Sequence, residues 1–209
     1  PWDPFINASS IPWAGSYWDE LLPNIRGSLS DEGKLYGLPW DIELFCRVYM
    51  KQDWDKLGEV PAETLDEFEN QLREMKNVAP DKVPFGFNHW CTHPAEQMFC
   101  QLWDDHPWVQ EQGMGSFFDV RGDAYKQMLL MWKRWYDEGL ITDDSIGSST
   151  WAELMLKGKL TCVQTGAAWA QARQQKIYGR ANVVPMTNFV IEKGQQPKTF
   201  TFANGAILF

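Results

Sequence analysis

The stretch GKLYGLPWDIELFCRVYM, residues 33–50, contains the first clear structural pattern of the chain. Residues 33–40 alternate small and apolar side chains into a proline, and residues 44–50 are rich in β-forming side chains, so both are predicted to be strands. A helix follows, because Thr64 and Glu67 have the spacing of a capping box, in which each side chain binds an amide that the first helical turn leaves unpaired. The chain therefore changes from strands to a helix within this region.

Helices and short strands continue to alternate beyond this point. Apolar side chains recur at helical spacing after each start signal, which is a capping box at Thr64 and at Thr150 and a first-turn proline at Pro94. Helices are predicted at 64–77, 94–105, 124–138, 151–157 and 167–176, and further strands at 160–164, 182–184 and 199–209. Such alternation predicts an α/β fold with helices packed on a small mixed sheet.

The helix predicted at 124–138 has apolar side chains on more than one face. We expect it to be deeply buried, and Gly139 to end it in the left-handed conformation. The side chains that give it this character are Met128, Leu129, Met131, Trp132, Trp135 and Tyr136.

Composition excludes several classes of partner. The chain carries 19 basic and 28 acidic residues, a formal charge of −9, which would repel phosphate backbones and argues against nucleic acid. No apolar stretch approaches the roughly 20 residues that span a bilayer. The chain starts without Met and stops inside the apolar run 206–209, so it is expected to be a piece of a longer protein.

Two residue types carry further information. At least two of the four cysteines are expected to be core residues, and a bridge between Cys91 and Cys100 stays open if the compartment is oxidising. The chain also has twelve tryptophans. Since Trp combines a large apolar face with one N–H donor, these side chains serve either the core or a flat, partly polar ligand.

Residues 33–58 resemble the segment of type-1 extracellular solute-binding proteins that reads dGKlYGlPyd, then an apolar strand, then YNKdlFeKaG. The family's asparagine is Met50 here. Later stretches resemble the family in the same order: VPAETLDEF at 60–68, YKQMLLMWKRWYDEGLI at 125–141, WAELMLKGKLTCVQTGAAW at 151–169 and FANGAILF at 202–209.

This resemblance implies a two-lobed, type II periplasmic-binding-protein-like fold. Residues 1–50 would form part of the first lobe and the crossing between lobes, and residues 51–209 mostly the second lobe, with the last strand returning toward the hinge. The implied function is to bind a carbohydrate, in particular an oligosaccharide, reversibly in the interlobe cleft and to deliver it to the membrane permease of an ABC importer. Such a carrier is a monomer without a cofactor, is not an enzyme, and works as an extracellular lipoprotein or in the periplasm.

A sugar presents a weakly apolar C–H face and a ring of hydroxyls, so its carrier needs aromatic planes and carboxylate or amide acceptors. The resemblance places family carboxylate contacts at Asp41 and Glu43, and the cleft aromatic at Trp169. The further ligand-binding residues that it implies are Trp40, Trp90, Asn204 and Gly205. A structural alternative is that Asp41 is a turn residue and Trp40 a core residue.

Three other readings stay open. One is a zinc site, since residues 89–106 contain seven side chains of ligand type, namely His89, Cys91, His93, Cys100, Asp104, Asp105 and His106. Another is a glycoside hydrolase that uses two carboxylates about 5–10 Å apart. A third is a sugar-binding wall module, which would be a β-sandwich without these helices.

Overall fold

The computed structural model describes residues 19–21, 23–28, 30–32, 34–44, 46–58, 61–87, 99, 101–103, 108–111, 115–118, 122–143, 154–165, 168–197 and 201–207. The chain forms two compact units. The smaller unit consists of Pro1–Glu43 and Thr201–Phe209, and the larger one of Leu44–Phe200. The lobe boundaries implied by the family resemblance, 1–50 and 51–209, stay a prediction.

The smaller unit contains helix α1 (Pro23–Ser28) and two pairs of strands. Strands β1 (Ser30–Asp31) and β2 (Lys34–Leu35) form a short antiparallel ladder. Strand β3 (Gly37–Leu44) is hydrogen-bonded to β10 (Thr201–Ile207), the last described strand of the chain. Two segments that are far apart in the sequence, 37–44 and 201–207, thus share one small sheet.

The larger unit is built on a four-stranded mixed sheet in the order β5-β8-β4-β9. Strand β4 (Cys46–Met50) is antiparallel to both of its neighbours, β8 (Leu160–Thr165) and β9 (Val183–Met186). Strand β5 (Val83–Phe87) lies at the sheet edge and runs parallel to β8. A separate antiparallel hairpin consists of strands β6 (Trp108–Glu111) and β7 (Gly115–Phe118).

Helices pack on this sheet. Helix α2 (Lys51–Trp54) continues into a 3₁₀ turn at Asp55–Leu57, and a second 3₁₀ turn spans Gln101–Trp103. The longer helices are α3 (Leu65–Val78), α4 (Asp123–Asp137) and α5 (Ala168–Tyr178). The predicted α/β fold, with helices packed on a small mixed sheet, is confirmed.

The alternation of side chains along β4 separates two apolar clusters. Tyr49 belongs to the larger cluster, which includes Cys162 and Phe85 of the sheet and the inner faces of α3 and α4. Val48 and Met50 belong to the smaller cluster, against which Tyr178 of α5 packs. Successive residues of a strand point to opposite faces, so one strand of five residues supplies both clusters.

Aromatic rings dominate the larger cluster. Phe68 lies 5.4 Å from Phe85 and 6.0 Å from Trp135 between ring centroids, and both pairs meet edge to face. Trp54 is also buried, and its indole N–H donates to the carbonyl of Thr161 at 3.2 Å. These two tryptophans therefore belong to the core.

Element boundaries differ from the sequence prediction in several places. The strand predicted at 33–40 is divided at Tyr36 into β2 and β3, and β3 continues to Leu44. The predicted helices at 64–77, 124–138 and 167–176 correspond to α3, α4 and α5 within two residues at each end. Of the helix at 151–157 the structure describes only 154–156 as helical, and most of 94–105 lies outside the described residues.

The expected deep burial of α4 is wrong on one side of the helix. Met128, Met131 and Trp135 are buried, but Leu129 is 46% exposed and Tyr136 is 47% exposed. A single helix face suffices to cover the sheet, so the remaining apolar side chains of this broad pattern meet solvent. Gly139 ends the helix region with φ of +68°, as the sequence predicts.

Candidate functional site

One edge of the four-stranded sheet collects several strand ends. Phe87 of β5 pairs with Gln164 of β8, so these two parallel strands end together. At the same edge Cys46 begins β4 opposite Thr165, and Met186 ends β9 opposite Arg47. We call this boundary, formed by 46–47, 87, 164–165 and 186, the Cys46 edge. Ligands of open α/β sheets bind outside the carboxyl ends of parallel strands, which makes it the candidate site of the larger unit.

Two of the predicted ligand-binding residues follow strands that end at the Cys46 edge. Trp169 is the second residue of α5, the helix that comes after β8. Trp90 follows β5 in the chain but lies outside the described residues. The position of Trp169 at a helix start after a strand agrees with the sequence analysis, whereas its contact with a ligand stays a prediction.

The other predicted site residues lie in the small sheet of the other unit. Trp40, Asp41 and Glu43 are in β3, and Asn204 and Gly205 are in β10, the strand to which β3 is hydrogen-bonded. Residues that are far apart in the sequence thus share one pair of strands. The structure describes only the backbone at these five positions, so their role in ligand binding also stays a prediction.

The Cys46 edge contains a buried arginine that the sequence analysis missed. Arg47 is 1% exposed, and its guanidinium carbon lies 3.6 Å from the ring centroid of Phe189 and 5.6 Å from that of Phe68. Its Nη2 donates to Asn188 Oδ1 at 3.2 Å and to the carbonyl of Thr187 at 3.5 Å. A charge inside the apolar run 44–50 is the signal that could have drawn attention to it, because an arginine there is buried only with partners.

Gln164 is the second polar side chain buried at this edge. It is 1% exposed and is the register partner of Arg47 on β8. Beyond β9, the chain turns along the start of α3: Val190 N donates to the Glu63 carbonyl at 3.0 Å, and Leu65 N donates to the Val190 carbonyl at 2.9 Å. Residues 187–190 are therefore held between the Arg47 side chain and the N-terminus of α3.

The capping box predicted at the start of α3 is present. Thr64 Oγ1 accepts from Glu67 N at 3.3 Å, and Glu67 Oε2 accepts from the amides of Thr64 and Glu63 at 3.1 and 3.0 Å. Lys193 Nζ pairs with Glu67 Oε1 at 2.6 Å. These partners, led by Lys193, lower the pKa of Glu67 to about 2.

A polar groove of about 720 Å³ lies beside this capping box. Among the described residues, it is lined by Pro61–Glu63, the outer face of α3 and Lys193. Both cations of the groove are already paired, Lys193 with Glu67 and Arg73 with Glu138 and Glu69. These two cations are therefore taken up in ion pairs of the fold.

No cluster of three or more His, Cys, Asp or Glu side chains suited to a metal occurs among the described residues. The candidate zinc ligands at 89–106 all lie outside those residues. Within the described parts of the chain, no helix combines the length and apolar character of a membrane span.

Comparisons with known proteins give one family and one fold. The sequence model of the family described as bacterial extracellular solute-binding protein matches residues 6–208. No curated protein sequence matches the chain.

Two solved structures share the fold over 90% of this chain. One is an ABC transporter solute-binding protein from Thermotoga lettingae TMO bound with alpha-D-tagatose, at 13% identity and a TM-score of 0.68. The other is a sugar transporter from Bacillus licheniformis in complex with stachyose, at 20% identity and a TM-score of 0.62. The chain covers 48% and 52% of these two structures, so it spans about half their length.

Proposed function

Because this chain belongs to the bacterial extracellular solute-binding proteins, we propose that the whole protein is the carbohydrate carrier of an ABC importer. It binds a sugar reversibly in an interlobe cleft and delivers it to a membrane permease. The protein acts as a monomer on the outer side of the membrane, either as a lipoprotein or in the periplasm. It carries its ligand without chemical change and is not an enzyme.

The observation that carries this proposal is the arrangement of strand ends at the Cys46 edge. Parallel strands β5 and β8 both end there, and the helix that contains Trp169 follows β8. An aromatic residue at such a position can stack on the apolar face of a sugar ring. The two structures of the same fold support the ligand class, since each was solved with a sugar bound.

We further propose that the ligand is an oligosaccharide. Trp40, Trp90 and Trp169 give several stacking planes, one for each of several sugar rings, and Asp41 and Glu43 give acceptors for hydroxyl groups. Carboxylates accept stronger hydrogen bonds than neutral oxygens do, and one carboxylate can accept two hydroxyls of the same ring. These five residues are the proposed contacts of the sugar.

Titration of the full-length protein with a panel of sugars tests the proposal. The panel includes tagatose, stachyose and their shorter and longer relatives, and intrinsic tryptophan fluorescence reports binding. We expect a saturable change for at least one sugar, with oligosaccharides favoured over monosaccharides, and none for a matched panel of amino acids.

The same samples also separate a carrier from an enzyme. After prolonged incubation, chromatography of the best ligand is expected to return it intact. Hydrolysed sugar would instead favour the glycoside hydrolase alternative. Saturable binding of an amino acid without any response to sugars would show that the ligand is an amino acid and not a carbohydrate.

A further inference from the structure

We propose that Arg47 is a positioning residue of the sugar site, an inference that rests on the proposed carrier function. Its side chain is 1% exposed, so it acts on the ligand through its neighbours and not by contact. It fixes residues 187–189, which leave β9 at the Cys46 edge, against the first residues of β4. Sugar affinity then depends on Arg47 more strongly than overall stability does.

The guanidinium group of Arg47 contacts its neighbours in fixed directions. The group lies over the ring of Phe189 at 3.6 Å and donates to Asn188 Oδ1 at 3.2 Å and to the Thr187 carbonyl at 3.5 Å. Three consecutive residues of one segment are thus held by one planar cation. Planar, fixed donors are what distinguish Arg from Lys, whose ammonium is a point charge on a flexible stem.

Packing alone does not explain an arginine at this position. The larger cluster around Phe68 and Phe189 is aromatic, and a buried cation loses its hydration there. Apolar residues of similar volume often replace buried charged groups without loss of stability. What the arginine adds is a unique orientation for its partners, which matters where a site must be held to a fraction of an ångström.

The segment that Arg47 holds is connected to the candidate site through β8. Arg47 is the register partner of Gln164, and β8 continues beyond it toward Trp169. A shift of the first residues of β4 therefore displaces the end of β8 and the start of α5, where Trp169 lies.

The test compares variants of the full-length protein at a temperature well below all their melting points. Arg47→Met keeps the length of the side chain and removes its donors, and Arg47→Lys keeps the charge without the planar group. Met75→Ala is the control, since Met75 is a fully buried residue of the same cluster and lies ten residues, about 15 Å, along α3 from Leu65, whose amide pairs with Val190. The probe is the tightest-binding sugar of the fluorescence panel.

We expect Arg47→Met to weaken sugar binding by at least about tenfold and Arg47→Lys to restore part of that loss. Met75→Ala is expected to melt earlier but to bind within about twofold of wild type, because its cavity lies away from the edge. Hydrogen exchange without sugar should be faster at the amides of 187–190 in Arg47→Met only. If Arg47→Met does not fold, Asn188→Ala serves instead, with a smaller loss of affinity and the same exchange pattern expected.

The outcomes separate this inference from the carrier function. If the wild-type protein binds a sugar and Arg47→Met binds it equally well, Arg47 is not a positioning residue and the carrier function stands. The same conclusion follows if Met75→Ala loses as much affinity as Arg47→Met, because the loss would then come from any cavity in this cluster. If the wild-type protein binds no sugar of the panel, the carrier function fails and the role of Arg47 fails with it.

Discussion

Trp169 lies in the first turn of α5, directly after a strand that ends at the Cys46 edge. We expect Trp169→Ala in the full-length protein to weaken sugar affinity about 5- to 150-fold, which corresponds to about 1–3 kcal/mol for stacking on one aromatic ring. Its melting temperature should change little, because a ring at a binding surface contributes mainly to the ligand complex. Calorimetric titration and thermal melting of the same samples measure both quantities.

Trp135→Ala is the matched control for this prediction. Trp135 is fully buried and packs edge to face against Phe68 and Phe85, so its truncation leaves a cavity that costs about 3–5 kcal/mol of stability. We expect this control to melt much earlier and to bind the sugar normally while folded. If Trp169→Ala behaves like Trp135→Ala, Trp169 is a core residue and the strongest predicted contact is wrong.

Single residues show how far the site could be predicted from the sequence. Trp169 could be predicted as a ligand contact because the family motif that contains it is a short, continuous stretch of sequence. Arg47 could not be recognised in this way, since its partners at 187–189 lie about 140 positions away and only the fold brings them together. The paired rings of Phe68 and Phe189 are equally non-local.

At the scale of elements, local chemistry predicts helix starts best. The capping box of Thr64 and Glu67 needs only four consecutive residues, and it is present as predicted. Strand β5 escaped prediction because Pro84 and Gly86 interrupt its apolar run. An edge strand tolerates such residues, but the position of the strand in the sheet is decided by its long-range pairing with β8.

Thr64→Ala tests the contribution of this cap. It removes the acceptor of the Glu67 amide, so we expect the free energy of unfolding to fall by about 1 kcal/mol in urea titration. Thr64→Ser keeps the hydroxyl and should stay within a few tenths of wild type. An equal loss in both variants would show that the methyl group, and not the cap, stabilises the helix.

Two carboxylates that pair with or lie on α3 should make the stability of the fold depend on pH. Lys193 and the cap amides hold the pKa of Glu67 at about 2, below its usual 4.5, and the Arg73 guanidinium lowers the pKa of Glu138, on the turn after α4. A carboxylate with a depressed pKa stabilises the fold above its unfolded pKa and loses that effect as pH falls. We expect the free energy of unfolding to be level above about pH 5 and to fall between pH 4.5 and 2.

Glu67→Gln is expected to flatten part of this acid slope, because glutamine does not titrate. Glu74→Gln removes the same charge from an exposed position of α3 and serves as the control. Urea titration at a series of pH values measures the slope for each variant. An acid slope that is identical in wild type and Glu67→Gln would contradict the assigned role of the Lys193 pair.

At the scale of the whole molecule, a carrier is stabilised by its ligand for as long as the ligand is present. Sugar at about 100 times its Kd should raise the free energy of unfolding by about 2.7 kcal/mol. For a full-length protein of about twice this length, as in the two solved structures, that corresponds to a rise in Tm of about 3 °C. Thermal melting measures it immediately after mixing and again after a day.

The rise is expected to be the same at both times, with no rise for the amino acid panel. A shift that decays during incubation would indicate that the protein consumes its ligand.

The α/β class and the family could both be predicted from the sequence, because the family's motifs occur in the same order along this chain. The family match over residues 6–208 confirms the resemblance. The lobe boundaries depend on contacts between distant segments and stay a prediction.

The strand order of the four-stranded sheet has a kinetic consequence. Among the described strands, β4 is paired with β8 and β9, so its two ladders form only after Val163 and Pro185, the register partners of Val48, have been synthesised. Trp54 likewise finds its acceptor on Thr161, 107 positions later. Closing such long loops is slow compared with forming local hairpins or helices. The ladder between β4 and β9 can therefore close only after residue 186 has been synthesised, whereas the local helix α3 can form well before that point.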